Sequence, residues 1–340
     1  MIKVGSDFSG VGAFNQALIR LGIEYKELFA CDMDKYARQT FIHNYGEPEY
    51  YPTNVYDRAI PDQSLDIYMT SPPCQAFSLA GKRLGKEDKR GILFFNSHEF
   101  IQNNKPRYFI FENVKGLLSD NAGKTFSEWV NLLGGKSING NPVIFPYEDA
   151  VPYHLYYKVL NAKHYGVPQN RERVFLIGIR DDEDNNFRFP IEEQLTKRLK
   201  DVLENEVDDK YFLSEKMISY LENRSNNFNN GKIKIEYNDK RLNKTIQKNK
   251  LPIAEPMMLD TYNQSIHEEC PTLKARHAQN NDRKLWDGYK IRRLTPRECF
   301  RLMDFPDTFT WPVSDSQAYK QAGNSIVVNV LYKIIKNLKL

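Results

Sequence analysis

The 340-residue chain predicts an α/β fold built on a Rossmann-like parallel sheet. Two observations carry that prediction. Short runs rich in Val, Ile, Phe and Tyr recur at residues 2–8, 28–31, 65–69, 108–112 and 174–179. Between them lie segments with apolar residues at helical spacing, at 14–21, 35–44, 94–104 and 126–133. Alternation of this kind stacks parallel strands between two layers of helices.

In order, the first run opens on Ile2 and Val4 and leads into the turn Phe8, Ser9, Gly10, Val11, Gly12. Two glycines between a strand and a helix let the backbone pass close to a ligand, although a plain tight turn has the same look. The second run ends at Cys31, and Asp32 follows about twenty residues after the turn, where nucleotide-binding folds place an acid for ribose hydroxyls. Gln16 or Ala17 stands where the dinucleotide fingerprint needs a third glycine. The pattern therefore favours an adenosyl ligand without a pyrophosphate.

The third run, 65–69, leads into Ser71, Pro72, Pro73, Cys74. A free cysteine usually packs as a small hydrophobe. Here two prolines remove backbone donors and stop the strand, and the polar, basic stretch 75–90 cannot bury the thiol in a core. Cys74 is thus placed as a nucleophile is placed. The fourth run ends in Glu112 and Asn113 at the same carboxyl edge, where open parallel sheets bind ligands. A glutamate there can also cap the next helix.

Composition bounds the rest. With 41% hydrophobic and 27% charged residues, the chain can bury a substantial core and divides into more than one domain. Cys31, Cys74, Cys270 and Cys299 lie far apart without metal-ligand spacing, which excludes a zinc site and a disulfide framework and suits a reducing cytoplasm. No secretory leader is expected, and no apolar run is long enough to span a bilayer. The formal net charge of +4 permits nucleic-acid binding without demanding it. Lys82, Arg83, Lys86, Lys89 and Arg90 share a loop with Cys74, which suggests a polyanionic substrate there. The basic stretch 232–250 reads equally well as a solvated face.

Beyond Arg180 the texture turns acidic, then Asn- and Lys-rich, and regular patterning resumes near Ile291. The expected division is 1–184, 185–290 and 291–340, with the Val- and Ile-rich end, a strand or a helix, returning to the first domain. Residues 134–150 look like an insertion.

These residues carry a resemblance. Stretches 8–14, 31–34, 72–78 with its Pro-Cys-Gln, 90–95, 112–114, 169–174, 292–306 and 321–327 follow in the order of the bacterial restriction-modification DNA cytosine-5 methyltransferases. The chain resembles that family over nearly its whole length outside the variable middle. The resemblance implies a Rossmann-like S-adenosylmethionine-dependent methyltransferase sheet with a second, smaller target-recognition domain at about 185–290.

It also implies the chemistry. Carbon 5 of cytosine is a poor nucleophile, so the family adds a thiolate to carbon 6 and makes the ring ready to attack the methyl of S-adenosylmethionine, leaving S-adenosylhomocysteine. Cys74 would be that thiolate; a free thiol titrates at about 8.5, so nearby positive charge or exclusion of water must activate it. Glu112 would bind the ring at nitrogen 3 and the exocyclic amine, Arg173 would hold the ring carbonyl with Arg171 in support, and Asn113 completes the catalytic set. Phe8, Ser9, Gly10 and Gly12 would surround the methionine part of the cofactor, Asp32 the ribose and Met33 the adenine. Asn54, Ser71, Pro72, Leu93, Asn324 and Ser325 would complete the pocket. Gln75, Ser78, Lys82, Arg83, Thr272 and Leu273 would meet DNA, with the target base flipped out of the duplex.

Two positions depart from the family. Asp7 stands one place away from the acid often found before the first glycine turn, and Asn54 replaces an aspartate that commonly accepts from the adenine amine. The implied partners are double-stranded DNA and a restriction endonuclease sharing the target without direct contact, with no membrane and a monomeric state. Three other readings compete with this one. A transfer-RNA cytosine methyltransferase of the same fold lacks support, because its Cys-Phe-Thr element is missing; a dead regulatory relative is opposed by intact Cys74, Glu112 and Arg173. A redox enzyme has no resolving cysteine nearby.

Overall fold

A computed structural model describes residues 1–73, 92–183, 186–213, 255–260, 265–275, 283–287 and 291–340. The main sheet has eight strands: β1 (Ile2–Asp7), β2 (Tyr25–Cys31), β3 (Ile67–Thr70), β4 (Tyr108–Val114), β5 (Ser137–Ile138), β6 (Asn141–Pro142), β7 (Tyr153–Asn161) and β9 (Glu172–Arg180). Their spatial order is β2-β1-β3-β4-β9-β7-β5-β6. The first four are parallel, as the alternation predicts.

The fifth apolar run is different. β9 pairs antiparallel with both β4 and β7. Only residues 162–171 separate β7 from β9, and a parallel return needs a crossover of a dozen or more residues. The short connection forces the antiparallel sense. Strand β7 itself has no counterpart in the sequence reading, and part of the segment read as an insertion forms β5 and β6 at the sheet edge.

Period-two alternation divides the strands between two cores. Ile67, Met69, Ile110 and Ile177 face one side, with Phe14 and Leu18 of α1 (Ala13–Arg20) and Leu331, Ile334 and Ile335 of the last helix, α7 (Val328–Lys336). Tyr68, Phe109, Phe111 and Leu176 face the other, with Phe94 and Phe100 of α3 (Ile92–Asn104) and Trp129 and Leu133 of α4 (Lys124–Leu133). The chain's end is therefore a helix packed beside α1. Helix α2 (Lys35–Tyr45) follows β2 and is capped by Asp34, which accepts from Tyr36 and Ala37 amides.

A second, antiparallel sheet has the order β11-β10-β13-β14, from β10 (Met257–Asp260), β11 (Ser265–His267), β13 (Arg283–Trp286) and β14 (Ile291–Arg292). Met258 and Leu285 of this sheet join the same core as α1 and α7. A buried ion pair, Arg292 Nη2 to Glu298 Oε1 at 2.7 Å, ties β14 to α5 (Pro296–Leu302), and Glu298 closes a capping box with Thr295. Helix α6 (Asp315–Asn324) follows. Finally, β8 (Gln169–Asn170) pairs in parallel with β12 (Cys270–Pro271), joining the two parts of the molecule. Among the described residues no helix is long and apolar enough to cross a membrane, and no cluster of His, Cys, Asp and Glu could hold a metal ion.

Candidate active site at the carboxyl edge of the sheet

Strands β1 to β4 bring their carboxyl ends to one edge, and between β1 and β3 the strand order reverses, which opens a crevice there. The turn after β1 lines it. Phe8, Gly10 and Gly12 have φ values of 58°, 57° and 81°. At Gly12 a Cβ would stand 2.2 Å from Tyr45 Cε2, so the turn rests on that ring and only glycine fits. Above Gly10 the space is open, the nearest atom to a Cβ there being Phe8 O at 4.0 Å. No side chain caps the amino end of α1, whose amides are left for a ligand's carboxylate.

Asp32 shapes the neighbouring loop. Its Oδ2 accepts from Gly10 N and its Oδ1 from Asp34 N, both at 2.8 Å. Each oxygen keeps a lone pair for a ribose hydroxyl. Burial pushes the Asp32 carboxyl up, against the pull of those two amides. Met33 is 86% exposed beside it, an apolar side chain suited to cover an adenine ring. Ser9 Oγ meets Tyr51 OH at 3.1 Å, and Ser71 Oγ reaches Phe8 O at 3.5 Å. Leu93 lies half-buried against the aromatic core.

The two departures acquire reasons. Asp7 is buried and accepts from Arg58 Nε at 2.9 Å and Tyr68 OH at 2.6 Å, so it locks β1 to β3 rather than lining the pocket. Asn54 uses its side-chain oxygen within its own turn, accepting from Tyr56 N at 3.1 Å.

The other half of the site is made by charged side chains. Register pairs Glu112 with Phe175 and Val114 with Arg173, which sets Arg173 diagonally beside Glu112. The antiparallel sense of β9 is thus what brings the two together. Arg173 Nε lies 3.0 Å from Glu112 Oε1, with side-chain exposures of 16% and 10%. Burial pushes the Glu112 carboxyl up, opposed by Arg173 and Arg171. Such a carboxyl beside a guanidinium can give or hold a proton and a planar hydrogen-bond pattern. The next residue, Asn113, donates from Nδ2 to Pro72 O at 3.1 Å and so fixes the chain just ahead of Cys74. Cys74 itself, with Gln75, Ser78, Lys82 and Arg83, lies outside the described residues.

Arg171 makes no hydrogen bond to Glu112 in the described structure. It is 3% exposed, and its guanidinium donates to Leu273 O at 2.9 Å, Gly323 O at 3.1 Å and Ser325 O at 2.7 Å. Thr272 Oγ1 donates to Asn170 O at 2.7 Å, while Leu273 is buried in the core. The segment the sequence offered to DNA is therefore anchored through Leu273, and Thr272 is tied to β8. Asn324 is exposed at the end of α6, and Ser325 is buried. Gln169 carried no assigned role, although the matching stretch began there. Its side chain accepts from Leu273 N at 3.2 Å and donates to Leu302 O at 2.7 Å. An amide able to do both at once is the signal that could have marked it.

Residues 2–340 match the model of the family described as C-5 cytosine-specific DNA methylase. The chain is 34% identical to the Type II methyltransferase M.HhaI of Haemophilus parahaemolyticus, over 97% of this chain and 92% of that one. It is 32% identical to the orphan methyltransferase M.SPRI of Bacillus phage SPR, over 99% and 97%. Among solved structures, the S. pombe Dnmt2 methyltransferase superposes with a TM-score of 0.66 at 18% identity, covering 99% of this chain and 97% of that one. At that identity the likeness concerns the fold.

Proposed function

The chain belongs to the C-5 cytosine-specific DNA methylases, and on that premise we propose how its own residues methylate carbon 5 of a cytosine in duplex DNA. The family and fold imply S-adenosylmethionine, which supplies an electrophilic methyl on a sulfonium sulfur. The open space over Gly10, the half-satisfied Asp32 carboxylate and the exposed Met33 suit an adenosyl ligand without phosphates. On the base side, Cys74 adds as thiolate to carbon 6, breaking the 5,6 double bond; once carbon 5 carries the methyl group, loss of its proton re-forms that double bond and expels Cys74 as thiolate. Glu112 meets nitrogen 3 and the exocyclic amine, and Arg173 the ring carbonyl, so charge building on the ring after attack finds a proton donor and a cation in place. Asn113 acts on Cys74 through Pro72.

One observation carries this reading: the strand that presents Glu112 to Arg173 also holds, through Asn113, the residue two places before Cys74. A nucleophile and the groups that grip its substrate thereby share one rigid support. A stacked cytosine cannot reach that support, so the base is flipped out. The region 185–290 is read as the recognition domain, closing over DNA with Thr272, Gln75, Ser78, Lys82 and Arg83 near the duplex. The protein is read as the modification half of a restriction-modification system, a cytoplasmic monomer sharing its target with an endonuclease it does not touch.

Methylation-sensitive sequencing of a plasmid from expressing cells tests this directly. The expected result is 5-methylcytosine at one recurring sequence. An unmethylated plasmid in cells rich in folded protein would overturn the reading, and methylated transfer RNA in its place would favour a transfer-RNA methyltransferase.

A further inference from the structure

Resting on that reading of the site, we infer that Arg171 is a positioning residue that couples the cofactor pocket to the recognition segment, so that filling either one tightens the other. Its guanidinium holds two stretches of chain that are distant from it and from each other in sequence. It leaves β8 and β9 at their junction, one residue from Glu172 and two from Arg173. One nitrogen holds Leu273 O, and the other holds Gly323 O and Ser325 O. The last two carbonyls end α6, where the helix dipole is negative and a buried cation is welcome. No carboxylate is hydrogen-bonded to this guanidinium in the described structure; three carbonyls hold its two terminal nitrogens, while Nε has no hydrogen-bond partner there.

Each end of the link reaches a functional loop. Along α6, Lys320 Nζ lies 2.6 Å from Asp34 Oδ2, Thr40 Oγ1 donates to Gln321 Oε1 at 3.0 Å, and Gln321 Nε2 donates to Tyr36 O at 2.9 Å. Those partners flank the loop that carries Asp32 and Met33. At the other end, Gly323 lies so close to the recognition segment that a Cβ would stand 2.4 Å from Lys274 C and O. Leu273 N and Thr272 Oγ1 are meanwhile held by Gln169 and Asn170. The segment cannot shift against α6 without the guanidinium losing a carbonyl in the interior, where an unmet charge is costly.

Coupling of this kind is reciprocal, which makes it measurable without turnover. Calorimetric titration with S-adenosylhomocysteine, alone and with saturating unmethylated plasmid fragments, gives the coupling as a ratio of two affinities. For the wild-type protein that ratio is expected to be at least about fivefold. In Arg171→Lys, which keeps the charge but loses the planar fork, it is expected to fall to about twofold or less. Gly323→Ala leaves the guanidinium intact and wedges α6 away from Lys274, and the same fall is expected. Cooperative thermal unfolding checks that both variants are folded.

A coupling ratio unchanged in both folded variants would overturn the inference, as would a wild-type ratio near one. Two variants that never fold would make Arg171 an architectural residue and overturn it too. Failure of wild-type protein to bind S-adenosylhomocysteine at all would instead strike the proposed function itself, so the two failures are distinguishable.

Discussion

The two halves of the site are built from different material. The half proposed for the cofactor is made of backbone: glycines at positive φ, amides donating to Asp32, and an uncapped helix end. The base half is made of charged side chains that hold one another, Glu112 against Arg173, with Arg171 spanning to the segment beyond. A backbone cradle survives the loss of any one side chain, whereas a buried charged pair leaves an uncompensated partner when one member is removed. Single substitutions should therefore cost far more on the base side than on the cofactor side.

The largest effect is expected at the nucleophile. Cys74→Ser should lower methylation at least about 10⁴-fold, because a hydroxyl is a far weaker nucleophile at neutral pH, while duplex binding persists. Tritium transfer from labelled cofactor, with a gel-shift control, measures both. Duplexes containing 5-fluorocytosine should become covalently attached through Cys74 in the wild-type protein, and active enzyme that forms no adduct would break the addition step.

Next comes Glu112→Gln. The amide keeps the shape and loses the proton and charge, and about 10²–10³-fold of turnover should go with it. Slower formation of the 5-fluorocytosine adduct would place the loss in the addition step; an adduct formed at the wild-type rate would remove Glu112 from it.

A smaller effect belongs to the other half. Asp32→Asn retains one acceptor oxygen and presents an amine to Gly10 N or Asp34 N, so cofactor affinity should fall only about tenfold, with turnover at saturating cofactor nearly unchanged. A loss as large as that of Glu112→Gln would erase the contrast between the halves.

The same contrast explains what the sequence could show. Turns after β1 and β2 announce themselves locally, since positive φ calls for glycine and an acid after a strand has few uses. Cys74 is legible because two prolines precede it. The direction of β9 is not local, as it follows from the length of 162–171 and from a β7 whose Tyr, His and Lys residues blur the apolar pattern. Nor does any local pattern reveal that Arg171 reaches Leu273 and Gly323, since that contact joins residues 102 and 152 positions apart. Family resemblance assigned Glu112 and Arg173 to the same base, and the register of β4 with β9 shows why the two side chains meet.

Strand β2, which leads to Asp32, carries a partly buried acid with no cation hydrogen-bonded to it in the described structure, and it sharpens the contrast. Glu27 on β2 accepts from Asn15 Nδ2 at 3.0 Å, and its Oε1 has no hydrogen-bond partner in the described structure. Burial pushes its carboxyl up to about 7, against the pull of Asn15. The folded-state value lies above the usual 4.5, so the folded protein binds the proton more tightly than the unfolded chain does. This group's contribution is thus favourable at low pH, declines as pH rises from about 4.5 to about 7, and is level above that. Glu27→Gln should flatten that decline and raise stability at pH 8 by at most about 3 kcal/mol, with most of the effect seen as a higher Tm. Glu112→Gln, measured in the same way, removes an acid that Arg173 partly compensates, so its gain in Tm at pH 8 should be smaller than that of Glu27→Gln. Thermal unfolding from pH 5 to 8 compares the two directly, and equal slopes for Glu27→Gln and wild type would show that Glu27 titrates like an ordinary surface acid.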